Sequence, residues 1–278
     1  MNWIKSEPLS VEKLQVAIRD LPQSLQGTKI VQLSDFHYDG PKLAESLLSQ
    51  VIQVSNQEEP DLIVLTGDYV THDPSPINKL VLRLKNLHSR FGIYAILGNH
   101  DLYYFHSQAV ITEAFNRIGI SVLWNEIAYP WGEKFPLVGL ADFWSGDFRP
   151  APVMEQLDPK IPRLVLSHNP DSATVLKKWR IDLQLSGHTH GGQVIIPGLG
   201  PLPQQLRRIR KYVPKKLHPY LPYMQECPKV VQNWQWSQGF HRIGTNQLYV
   251  NRGLGSYFPG RLFCPPEVTV ITLVGKGN

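Results

Sequence analysis

Five short tracts of acidic, amide and imidazole residues stand in this chain, each where a run of β-forming residues gives out. They are Asp35-Phe36-His37, Gly67-Asp68, Gly98-Asn99-His100-Asp101, Ser167-His168 and Gly187-His188-Thr189-His190. The runs before them constrain the fold. Lys29 to Leu33, Leu62 to Leu65 and Gly92 to Leu97 read as strands, and helical apolar patterns lie between them from Lys42 to Val54, after Pro41, and from Ile77 to Leu87. Strand, helix, strand, helix, strand predicts βαβ units, and ligands of such sheets gather beyond the carboxyl ends of the strands. The polar tracts stand in that position.

The second half repeats the pattern. Leu137 to Ala141, Arg163 to Leu166 and Ile181 to Leu185 read as strands, Asp171 to Lys178 as a helix after Pro170, and Leu248 to Asn251 and Glu267 to Leu273 as closing strands. A chain of 278 residues, 42% hydrophobic and 18% charged, can bury a substantial core. A single domain over residues 1–278 is expected.

The tracts carry a definite chemistry. Asp, Asn and His offer oxygen and imidazole nitrogen, which suit Mn²⁺, Fe²⁺ or Zn²⁺, and no cysteine falls in any tract to favour a thiolate site. Asp35 and His37, like His188 and His190, stand two residues apart, and on extended backbone that spacing points both side chains the same way. Each pair is therefore expected to face one metal cluster. The other histidines, His72, His88, His106, His218 and His241, are read as surface or loop residues. Gly67, Gly98 and Gly187 are expected to make tight turns at strand ends, and Gly191 and Gly192 to let the backbone approach a phosphate. Asp142, Trp144 and Asp147 follow a strand and either line the substrate cleft or form a solvated loop, the second being preferred, and they are left out of the site. Tyr103 and Tyr104 either border a leaving group or pack.

The segments SDFHYDG from Ser34, TGDYV from Thr66, LGNHDLYY from Leu97, LSHNPD from Leu166 and LSGHTHGGQVIIPG from Leu185 together resemble the calcineurin-like metallophosphoesterases. The tail NRGLG with RLFCPPEVTVITL narrows the resemblance to the bacterial phosphodiesterase branch of that superfamily. Five motifs in the right order at strand ends are far more specific than any one of them.

The resemblance implies a four-layer αββα sandwich of two mixed sheets, with two divalent metal ions at the strand carboxyl ends. By the same resemblance Asp35, His37 and His190 hold the first ion, Asn99, His168 and His188 the second, and Asp68 bridges them. Two such ions can supply a bridging hydroxide for in-line attack on phosphorus. His100 is the expected general acid, with Asp101 orienting its ring. Phosphodiesterase or pyrophosphatase activity follows, on a phosphate-ester small molecule or a lipid-linked substrate such as a UDP-diacylglucosamine. A nuclease and a non-catalytic metal-binding scaffold are the alternatives.

Residues 201–242 stand apart. Eight bases against the single acid Glu226 give +7, while the whole chain is +5, leaving −2 for the remainder. With interleaved Tyr, Trp and Pro, this stretch is expected to be an irregular cap or loop. A solvated basic face is the plainest reading, peripheral contact with an anionic membrane or lipid-linked phosphate the second, and single-stranded nucleic acid the third. Cys227 and Cys264 do not make a disulfide framework and are expected to be reduced or buried. No apolar run reaches the length of a signal peptide or a membrane span, so a cytoplasmic location is expected, with peripheral attachment to the inner membrane face as an addition to it.

Overall fold

In the computed structural model, which describes residues 7–39, 42–220 and 231–276, the central strands are covered on both faces. In chain order the elements are β1 (Ser10–Ile18), β2 (Lys29–Leu33), α1 (Glu45–Gln57), β3 (Leu62–Leu65), α2 (Ile77–Leu84), β4 (Ile93–Ala95), α3 (Ser107–Asn116), β5 (Ile120–Val122), β6 (Glu126–Ala128) and β7 (Leu137–Gly139). There follow α4 (Pro150–Met154), β8 (Leu164–Leu166), α5 (Ala173–Leu176), β9 (Leu183–Ser186), β10 (Ile195–Ile196), β11 (Gly200–Pro201), α6 (Leu202–Ile209), β12 (Gly239–Ile243), β13 (Asn246–Val250) and β14 (Glu267–Gly275).

Two six-stranded sheets result, in the orders β1-β14-β2-β3-β4-β5 and β12-β13-β9-β8-β7-β6. Both are mixed: β2, β3, β4 and β5 run parallel while β14 opposes β2, and β13, β9, β8 and β7 run parallel while β12 and β6 oppose their neighbours.

The period-2 alternation of a strand assigns its residues to layers. Ile30, Leu62 and Val64 point between the sheets, where they meet Leu137, Leu164, Leu166, Leu183 and Leu185. Val31, Leu33, Ile63 and Leu65 point outward, under Leu48 and Val51 of α1, Leu80 and Leu84 of α2 and Phe115 of α3. On the far side, Val138 and Val165 pack with Met154 of α4 and Leu176 of α5. This is the expected four-layer αββα sandwich. Strands buried on both faces carry unbroken apolar runs rather than an alternating pattern, which is why they were legible.

Several boundaries differ from the sequence reading. Helix α1 begins at Glu45, because Ala44 is extended, and the expected helix from Asp171 is a 3₁₀ turn over Pro170–Ser172 leading into the one-turn α5. The nine-residue β1 and helix α3 have no counterpart in that reading. The 201–242 stretch is not irregular throughout, since α6 stands at its start and β12 at its end, where β12 pairs with β13 and closes the edge of the second sheet. Residues 221–230, with Glu226, Cys227 and Lys229, lie outside the described residues, while Cys264 is buried and free. Among the described residues no helix is long and apolar enough to cross a membrane.

Candidate metal centre

The carboxyl ends of β2, β3, β8 and β9 bring the polar tracts to one place. Ligand atoms of Asp35, His37, Asp68 and His190 all lie within 4.8 Å of one another, as do those of Asp68, His168 and His188. All of these residues are buried. Asp68 belongs to both groups. Its Oδ1 accepts the backbone N–H of His100 at 2.9 Å. Its Oδ2 stands 3.1 Å from His168 Nε2 and 3.7 Å from His37 Nε2, so a single oxygen faces both groups. Asn99 Oδ1 is buried without a hydrogen-bond partner. An orphaned buried acceptor in the tract whose His100 N–H binds Asp68, together with the converging imidazoles and carboxylates, suits a cation-binding donor set, and the residues present fit divalent ions.

The backbone that delivers these side chains is not the extended one expected. Asp35, His37, Asp68, His188 and His190 have φ of 52°, 44°, 58°, 72° and 51°. The pairs converge because the chain turns sharply past the strand ends, through a left-handed region that costs roughly 1–3 kcal/mol per residue where it is sparsely populated. Close packing leaves no alternative course. A β-carbon on Gly98 would overlap the Asp68 carboxylate, and one on Gly187 would overlap Ser34 Oγ and Asp35 Oδ2. Gly191 and Gly192 are both buried, with Cys264 Sγ and Pro201 where their β-carbons would stand.

Outer hydrogen bonds fix the imidazoles, as they commonly do for metal-binding histidines. His168 Nδ1 lies 2.6 Å from the Thr66 carbonyl, which only accepts, so Nδ1 carries the proton and Nε2 faces inward. His100 Nδ1 is held the same way by the Thr71 carbonyl at 2.7 Å. His37 Nδ1 stands 2.6 Å from the Tyr257 hydroxyl. The Asp35 carboxylate accepts the backbone N–H of His188 at 2.9 Å.

Asp101 has a different part from the one expected. Its carboxylate is buried and accepts backbone N–H groups of Asp68, Tyr69, Val70 and Gly98 at 2.7 to 3.2 Å, binding the two loops together. The His100 ring is held by Thr71 instead. A carboxylate one residue along a 3₁₀ turn faces away from its neighbour's ring, and four unpaired amides were closer.

The electrostatics follow from burial and charge. Burial, then the Asp68 charge, pushes Asp101 up to about 8. Burial also pushes Asp35 up to about 6, with the Asp68 charge adding to it against the opposing pull of His168. Burial works on Asp68 as well, but the positive charge of His168, then of His100, overcomes it and holds the carboxyl well below its usual range. For His168 burial opposes protonation and Asp68 outweighs it, raising the ring to about 10. His37 and His190 are held well below the ordinary imidazole value, chiefly by burial.

Some neighbours of the site escaped the sequence reading. Asp142 is buried rather than solvated, with Oδ1 lacking a partner, whereas Trp144 is exposed. Burial raises the Asp142 carboxyl, and His168 counters it. Arg261 is fully buried and donates to the Gly255 and Gly253 carbonyls, with Nη2 3.5 Å from His190 Nδ1. His72 is exposed, in keeping with its reading as a surface residue, and sets its ring edge-on to Tyr103 at 4.5 Å between centroids, 6.0 Å from the His100 ring. Tyr257 and Arg261 lie in the tail that carried part of the resemblance, but nothing in their spacing signals contact with histidines up to 220 residues away.

The calcineurin-like phosphoesterase profile matches residues 28–192, which span all five tracts. The chain therefore belongs to the calcineurin-like phosphoesterase family, a family of metal-dependent hydrolases of phosphoester bonds. Among its relatives it is 36% identical to phosphodiesterase YaeI of Escherichia coli over 88% of this chain and 82% of that protein. It is 32% identical to the uncharacterized metallophosphoesterase YkuE of Bacillus subtilis over 96% of this chain and 87% of that one. The UDP-2,3-diacylglucosamine pyrophosphatase LpxG of Chlamydia muridarum is 26% identical over 98% of this chain and 92% of its own length. One crystal structure aligns at a TM-score of 0.50 and 12% identity over 81% of this chain and 90% of that chain, a likeness of fold alone.

Proposed function

We propose that this protein hydrolyses a phosphodiester or pyrophosphate bond, using two divalent ions (Mn²⁺, Fe²⁺ or Zn²⁺) held at the strand ends. The carrying observation is that ligand atoms from four strand ends form two groups sharing Asp68. Asp35, His37 and His190 would hold one ion, Asn99, His168 and His188 the other, with Asp68 shared between them. Bound there, the ions supply Lewis acidity toward the phosphoryl oxygens and the attacking water.

The chain's own residues do the rest. With Nδ1 of His100 committed to the Thr71 carbonyl, Nε2 is the nitrogen that delivers a proton to the departing oxygen. The backbone N–H of His100 on Asp68 keeps that ring in register with the ions. Lys42, whose Nζ donates to Thr71 Oγ1 at 2.7 Å and lies over the Tyr257 ring, brings positive charge to the same side.

Exposed Tyr103, Tyr104 and Phe105 stand three to five residues after His100, while Phe258 follows Tyr257. An apolar rim beside the acid suits a substrate whose leaving group is joined to lipid, in keeping with the relative that acts on UDP-2,3-diacylglucosamine. The test is hydrolysis of bis(p-nitrophenyl) phosphate, p-nitrophenyl phosphate and UDP-2,3-diacylglucosamine by metal-stripped protein with added Mn²⁺. Diester or pyrophosphate cleavage that requires metal and His100 is expected. Binding of metal with no turnover of any substrate would leave a scaffold.

A further inference from the structure

At the opposite edge of the sandwich, where β1 and β14 end and β9 and β13 begin, lies a second cavity of about 480 Å³. That volume is within the range of small-molecule sites, roughly 300–1,000 Å³. Lys177, Lys178, Arg242 and Lys276 line it, and among the described residues none of the four makes an ion pair. Like charges gathered in a cleft repel one another and raise the local concentration of counter-ions. A bound anion would relieve that repulsion.

The floor beneath these cations is built rather than loose. Arg180 is fully engaged: its guanidinium pairs with Asp182 at 2.9 Å and Asp20 at 3.0 Å and donates to the carbonyls of Arg19 and Lys160. Asp182, the one acid lining the cavity, is therefore already neutralised. Gln247 Nε2 bridges the carbonyls of Ala17 and Asp182, tying the end of one sheet to the start of a strand in the other. Buried Asn246 accepts from Ile181 N–H and donates to the Trp179 carbonyl, which sets the hairpin turn against the helix end. A rigid floor under free cations lowers the ordering cost of binding.

We propose that this cavity is a second site, separate from the metal centre, that takes a small compound carrying two or more phosphate groups. Each phosphate brings about 1.5 to 2 negative charges, so a pair of them matches four free cations where a single carboxylate does not. Ammonium and guanidinium groups offer three and five donors, enough to saturate the oxygens of a diphosphate. The phosphates come from a soluble compound or from a lipid headgroup, and the cavity recognises what the two share.

The experiment is calorimetric titration of the metal-loaded full chain with methylenediphosphonate and with a single-stranded oligonucleotide, beside sedimentation with cardiolipin and phosphatidylcholine vesicles. The variants are the quadruple K177Q/K178Q/R242Q/K276Q and, separately, Asp68→Ala. Wild type is expected to show two binding events, one at the metal centre that Asp68→Ala weakens and one that survives Asp68→Ala and weakens at least about tenfold in the quadruple variant, which is 1.4 kcal/mol or more. Turnover of bis(p-nitrophenyl) phosphate by the quadruple variant should be unchanged, which also reports that it is folded. Loss in the quadruple of the diphosphonate event outside the metal centre identifies a soluble ligand, and loss of selective cardiolipin binding identifies a headgroup. Equal binding by wild type and quadruple variant in both arms would overturn the site. So would selective loss of oligonucleotide binding alone, which would make the surface a nucleic-acid face.

Discussion

His37 and His190 are 153 residues apart in the chain, yet their Nε2 atoms lie 3.1 Å from each other with the rings stacked at 4.9 Å. Burial keeps both rings neutral, so two inward nitrogens converge where a cation can replace the proton between them. Either His37→Ala or His190→Ala should remove the share of Mn²⁺ stabilisation that comes from the ion these two residues hold. An ion at one hundred times its Kd contributes about 2.7 kcal/mol, and a melting curve with and without Mn²⁺ should show one such contribution missing from each variant.

His100→Ala should leave metal content unchanged and lower kcat by about 10²–10⁴-fold, the range of a lost general acid. The loss should shrink for substrates with a p-nitrophenolate leaving group, which needs less help from a proton. Metal analysis beside steady-state kinetics separates this from a ligand defect; loss of metal in H100A would remove the acid role.

Asp101→Ala should act through stability rather than through proton transfer. Four buried amide donors lose their acceptor, and the expected cost is on the order of 3 kcal/mol. Denaturant unfolding of the metal-free protein measures it. A variant as stable as wild type would contradict the assignment.

Tyr257→Phe should weaken metal binding and activity together by roughly 10–100-fold, as expected when the outer partner of a ligating imidazole is removed. The phenol stands 2.6 Å from His37 Nδ1. Competition against a chelator reads the affinity directly, and an unchanged affinity would show that the hydroxyl does not orient the ring.

The metal-free protein should lose stability at alkaline pH. The folded value of His168 is raised to about 10 from 6.5, so its pairing with Asp68 contributes fully below pH 6.5 and is lost as pH rises toward 10. Asp68, held below its usual range, gives the opposite limb, with stability lost as pH falls through the acid region. Melting temperatures in chelator from pH 6 to 10 should fall for wild type and stay flatter for His168→Ala.

What the sequence determined by itself was the strand ends and the chemistry placed on them. Strands such as Leu62–Leu65 are buried on both faces, so their apolar runs are short, continuous and sharply bounded, and the Asp, Asn and His residues that follow announce themselves. Short, half-exposed strands such as Glu126–Ala128 and the polar β1 lack such runs and were not legible. Only the tertiary structure decided which partner each side chain meets. The left-handed turns at Asp35, His37, Asp68, His188 and His190 exist because neighbouring loops leave no other course. Asp101 binds backbone amides, Tyr257 reaches His37, and four cations meet around a cavity at the far edge of the sheets. Those contacts join residues tens to hundreds of positions apart, and local pattern holds no record of distance across a fold.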